Sequence, residues 1–154
     1  MIKTCSLCRF PRPAAEQRCA ICGNEDFGPA SAEEPDGLTL RCVADNEFGL
    51  AYRNLEEDLT RGEEDAQKTL WLAWLACYLC DYRAVEVWSH ETSRLAPDSA
   101  EPHLLLGLVL LRARRWPEAV EECDAALRKP GLAVDRRAVL ETMRAEAFAQ
   151  IPEW

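Results

Sequence analysis

A period of about 34 residues constrains this chain more than any other feature. Leu72-Ala73 returns 34 positions later as Leu106-Gly107, and Tyr82 as Trp116. Ala84 and Trp88 return 35 later as Ala119 and Cys123, and Pro97 returns 33 later as Pro130. A unit of this length fits one helical hairpin, which cannot bury its apolar face alone and so must stack on a neighbour. Small residues at Ala73, Gly107, Ala119 and Ala126 let antiparallel helices approach, and the large Tyr82, Trp88 and Trp116 fill the space between hairpins. An irregular helical bundle would supply the same helices without the repeat.

The boundaries follow from local chemistry. Leu55 and Leu59 form an i, i+4 pair ahead of Gly62, a C-terminal stop. Residues 66–79 are apolar nearly all round, as in a helix covered on several sides. Residues 84–95 read as a second helix closed by Pro97. A third spans 100–113 behind Ser99 as N-cap, and a fourth spans 117–128 with Pro117 at its first position and Pro130-Gly131 as its stop. The last, 134–149, places Leu140, Met143 and Ala147 on one stripe and Arg137, Glu141 and Arg144 on another, as expected of a cap on a stack. Before these helices, residues 24–37 hold two glycines, two prolines and five acids, the composition of a linker. Residues 38–43, LTLRCV, fit a short strand or the lead-in to a helix.

The stretch AEPHLLLGLVLLRARRWPEAVEECDAALRKP, 100–130, resembles a tetratricopeptide (TPR) repeat. Leu106-Gly107, Ala119, Ala126 and Pro130 match that family's pattern, whereas His103, Leu110 and Cys123 replace its aromatic residues. Residues 66–97 match more loosely. The resemblance implies a TPR-like helical-hairpin solenoid whose first helices line a groove for protein segments. Carried over by position, the lining is Leu70, Trp74, Cys77 and Tyr78 from one repeat and Leu104, Leu108, Leu111 and Arg112 from the next. So apolar a lining implies an amphipathic or hydrophobic partner segment. Self-association, or coverage by residues 38–62, would satisfy the same surface.

The first 24 residues are of another kind. Cys5-x-x-Cys8 and Cys19-x-x-Cys22 stand ten residues apart. Each pair sets two thiolates on one tight turn, and two pairs complete the tetrahedral four-sulfur site that suits structural zinc. Iron is chemically allowed in the same tetrahedron. The segment resembles a minimal zinc ribbon, with Gly23 on the glycine that follows the second knuckle, and implies one Zn2+ per chain. A redox Cys-x-x-Cys would be expected to open a helix in a βαβ unit, of which the sequence shows no sign. Cys77 and Cys80 form a third such pair inside an apolar helical pattern and read as packing residues, as do Cys42 and Cys123 singly.

Charge separates the two parts. Lys3, Arg9, Arg12 and Arg18 against Glu16 give the head +3, so the rest carries −12 of a net −9. An acidic body is a poor match for a phosphate backbone, which leaves the basic head as the one possible nucleic-acid contact. No apolar leader precedes Cys5 and no apolar run is long enough to span a bilayer, so a cytoplasmic protein is expected. Catalysis has little to rest on. His90 and His103 have no recognisable partners, no glycine-rich phosphate loop occurs, and a four-cysteine site has no open coordination position. The sequence thus reads as a mainly α protein with a zinc ribbon at 1–27, a linker at 28–44 and a TPR-like helical domain at 45–154. Its expected role is a non-enzymatic adaptor. The alternative is a regulator whose ribbon contacts nucleic acid while the body binds protein.

Overall fold

The computed structural model describes residues 2–5, 11–13, 17, 27–28, 42, 47–62 and 64–152. At the N-terminal end, β1 (Ile2–Cys5), β2 (Pro11–Pro13) and β3 (Phe27–Gly28) form an antiparallel sheet in the order β2-β1-β3. Ile2 faces Pro13 and Cys5 faces Phe27 across the two ladders. The remainder is mainly helical, as the periodicity predicts. Its helices are α1 (Phe48–Arg61), α2 (Ala66–Tyr78), α3 (Tyr82–Leu95), α4 (Glu101–Arg112), α5 (Trp116–Leu127) and α6 (Val134–Gln150).

Several ends have visible causes. The Asp65 carboxylate accepts the backbone N–H groups of Gln67 and Lys68 and starts α2. Asp81 accepts from Ala84 N–H at 3.1 Å and starts α3. Gly62 closes α1 by donating to Asp58 O at 3.0 Å. Two expected caps shift. Ala100, not Ser99, is the N-cap of α4, and Pro117 falls one residue inside α5, behind Trp116. Proline is tolerated at both of the first two positions because neither N–H has an intrahelical acceptor.

Each helix packs on the next, and α4 also packs on both α2 and α6. The 34-residue spacing is written into the backbone. At the end of α2, Cys80 N–H donates to Cys77 O and Asp81 N–H to Ala76 O, with Cys80 at φ +58°. At the end of α4, Arg114 N–H donates to Leu111 O and Arg115 N–H to Leu110 O, with Arg114 at φ +60°. Both ends are Schellman motifs with a non-glycine residue in the left-handed position. The longer of the two bonds occurs once more, 34 residues earlier, where Glu47 N–H donates to Cys42 O at 2.7 Å. Cys42 has helical backbone and is buried in the same core as Ala51, Leu55, Leu72 and Trp74.

The same offset carries α1 onto α3, since each spans 14 residues and opens on an aromatic, Phe48 or Tyr82, with Trp116 opening α5. Ala51 and Leu55 on α1, Val85 and Ser89 on α3, and Ala119 and Cys123 on α5 are the buried residues in register. This corrects the 35-residue pairing of Ala84 with Ala119 and Trp88 with Cys123. The two turns are of equal length, so the second helices start in phase. Leu72, Leu106 and Leu140 are likewise buried at one register position of α2, α4 and α6. At the close-approach position, however, Ala73 and Gly107 are followed by Glu141, which is exposed. There the pattern of small residues stops.

Polar links pin the hairpins. Thr92 Oγ1 donates to Thr69 Oγ1 at 2.8 Å inside the core of α2 and α3. His103 Nδ1 and Glu122 Oε2, 2.7 Å apart, do the same between α4 and α5. Arg136, only 4% exposed, reaches Glu101 at 3.1 Å and ties α6 to the start of α4.

Candidate functional site

The groove expected along α2 and α4 is only partly open. Trp74 is 4% exposed and Leu104 2%, and Cys77 is buried as well. Leu70 and Tyr78 are half-buried, and Phe48 of α1 stacks on the Tyr78 ring with centroids 4.3 Å apart and planes 9° from parallel. Cys42, Phe48, Tyr52, Leu55 and Leu59 share one apolar cluster with Leu70, Trp74 and Tyr78. The α2 half of the expected lining therefore lies under the chain's own preceding residues. An all-round apolar helix has no free face once neighbours pack on several sides of it.

The α4 half is different. Leu108 is half-buried and bridges two core clusters, Leu111 is half-buried, and Arg112 is exposed. Leu111 and Arg112 come together with Trp116 of α5 and with Glu146 and Gln150 of α6 around a cavity of about 320 Å³. Of this lining, Leu111 and Arg112 are in the sequence-derived set. Glu146 and Gln150, four apart on one helix face, are not. The signal that could have found them is the register itself, because α6 falls where the first helix of the next hairpin belongs. The cavity joins two apolar side chains to a guanidinium, a carboxylate and an amide, a combination that can grip an apolar side chain and orient the polar chain around it.

The thiols divide sharply. Cys5 lies on β1, while Cys8, Cys19 and Cys22 fall outside the described residues. The third Cys-x-x-Cys is not a pair on one face. Cys77 is buried, but α2 has ended by Leu79, and the left-handed turn leaves Cys80 exposed. Cys123 is fully buried, and burial first, then the neighbouring Asp124 and Glu122, push its thiol up to about 11. Such a thiol is a poor nucleophile and a poor metal ligand at neutral pH. Burial also raises the Tyr52 phenol, against the opposing hydrogen bond from Trp88 Nε1 at 2.7 Å.

His103 sits where a core-facing aromatic was expected and is held by Glu122, whereas His90 is exposed on α3. Among the described residues, no three His, Cys, Asp or Glu side chains cluster as a metal site would require. Among them, too, no helix is long and apolar enough to cross a membrane. No protein-family model matches the chain, and no curated protein matches it.

Proposed function

We propose that the chain is a non-enzymatic adaptor of cytoplasmic type: a TPR-like stack of helical hairpins that binds an apolar or amphipathic segment of another protein, carrying a structural zinc ribbon at its head. The recurrence of the Schellman turn at Cys80 and Arg114, with buried positions in step, supports the repeat reading. The observation that carries the binding role is the α4/α6 seam, where half-buried Leu111 lines the cavity with Arg112, Trp116 and Glu146. Packed hairpins of this kind offer a rigid surface, and an aromatic beside an aliphatic pocket is a usual energetic centre of an interface. The acidic body favours a segment with a basic rim. For the head, Cys5, Cys8, Cys19 and Cys22 are a donor set that fits tetrahedral zinc, whose binding energy would fold the segment.

The test uses full-length protein purified with zinc. Partners captured from native extract by the wild type should be lost by an Arg112→Ala, Glu146→Ala variant, whose exposed substitutions should leave circular dichroism unchanged. Retention of every partner by that variant would place binding elsewhere. Elemental analysis should find zinc near one per chain, and Cys19→Ser with Cys22→Ser should remove it.

A further inference from the structure

A second cavity, about 260 Å³, lies where α1 and α3 meet the start of α2. Leu59, Leu95 and Trp88 give it apolar walls, and Glu56, Glu64 and Glu91 give it carboxylates. Its frame is fixed. Trp88 Nε1 donates to the Tyr52 hydroxyl, and Thr69, also on the lining, is tied to Thr92. Arg94 already spans two of the carboxylates, reaching Glu64 at 2.7 Å and Glu91 at 2.5 Å. Glu56 takes part in none of the ion pairs among the described residues.

The internal repeat places a different pair of side chains at the corresponding positions. In the 34-residue register Thr69 corresponds to His103 and Trp88 to Glu122, and at that later seam an imidazole meets a carboxylate at 2.7 Å. Thr69 is neutral, so the basic group at the earlier seam is Arg94, which takes up Glu64 and Glu91 and not Glu56. Carboxylates around an indole and two leucines suit a cation with an aliphatic stem, which places its methylenes on the apolar walls and its charge among the acids.

We propose that this cavity receives an ammonium or guanidinium group on an aliphatic stem, as carried by a lysine or arginine side chain or by an alkyl polyamine. The site is separate from the α4/α6 seam and does not depend on the adaptor reading. The test follows the Trp88 indole N–H resonance in full-length protein during titration with acetyl-arginine amide, with its neutral citrulline analogue, and with spermidine. The arginine compound should shift the resonance saturably in the millimolar range, and the citrulline compound should not. Glu56→Gln should weaken binding roughly fivefold, and Arg94→Gln should strengthen it severalfold by releasing two carboxylates. Tighter binding of spermidine than of the arginine compound would assign the site to polyamines, and the reverse to a protein side chain. Equal shifts from the neutral analogue, no saturable shift from either cation, or no effect of Arg94→Gln would each overturn the proposal.

Discussion

At Gly107 three helices come close together. A Cβ built there would lie 3.0 Å from Met143 Cε and 3.4 Å from Cys123 Sγ, so one added carbon touches both α6 and α5. For Gly107→Ala two effects oppose. Alanine gains about 1 kcal/mol of helix propensity over glycine in a helix interior. Against that, Met143 must swing its terminal methyl aside by a few tenths of an ångström, which a flexible thioether does at small cost. The net change should lie within about 1 kcal/mol of zero. Gly107→Leu adds three further heavy atoms in the same direction, and these meet the backbone-anchored part of both neighbours. Overpacking of this kind costs roughly 1–3 kcal/mol, and for a body of this size each kcal/mol lowers Tm by about 4 °C or more. Adding Met143→Ala to the leucine variant should return about 1 kcal/mol, since it vacates the volume that the leucine invades. Thermal melts followed by circular dichroism measure all five proteins, Met143→Ala alone included. A leucine variant melting with the wild type, or strict additivity of the two substitutions, would mean that α6 does not lie against Gly107.

Cys80→Gly and Arg114→Gly should each stabilise the protein by about 1 kcal/mol in urea unfolding, because both side chains now occupy positive φ; a loss at either position would contradict the turn geometry. Cys80 should react with a maleimide well before Cys123 in native protein. Because the Cys123 thiol is raised from 9.0 to about 11 by folding, the folded state holds its proton longer, and stability should fall as pH rises from about 9 toward 11. Cys123→Ala should flatten that slope, and an unchanged slope would refute the assignment. Trp74→Ala should cost about 3–5 kcal/mol and destabilise the whole helical body, as a buried aromatic does, rather than removing a binding function from an intact fold. A melt unchanged by this substitution would restore the open groove along α2.

Helix positions were legible because they depend on short-range chemistry. The stops at Gly62, Pro97 and Pro130-Gly131 act within four residues, as do the Asp65 and Asp81 caps that the structure adds, and the observed ends fall within about two residues of the expected ones. What sits on top of a helix is a long-range property. Trp74 and Leu108 look alike in sequence, yet Trp74 is buried in the cluster that includes Cys42 and Phe48, while Leu108 stays half-buried. Cys42 reads as a packing residue and residues 38–62 as one possible cover for that surface, but nothing local to the sequence chooses that cover over a partner or a second copy. The turns misled for a related reason. Cys80 and Arg114 occupy a conformation that favours glycine, so neither announces it, and Cys80 was read onto a helix that had already ended. Once those turns align, the pairing of α3 with α5 moves by one residue to the 34-residue spacing; the same spacing carried on to α6 sets Glu146 at the position of Arg112, and the two meet at one cavity.

The switch from Ala73 and Gly107 to Glu141 has a consequence for how such a chain can grow. A carboxylate at the close-approach position keeps a following helix from closing on α6, because the hairpin contact there depends on a residue no larger than alanine. Appending a copied unit after α6 would bury Glu141 without a partner. A second copy of residues 100–133 inserted ahead of Val134 would instead leave Glu141 in its present exposed place, and its one new junction, α5 against a second α4, would be patterned on the existing contact of α3 with α4. A charged residue at that one position would therefore make the helical body easier to lengthen ahead of α6 than behind it.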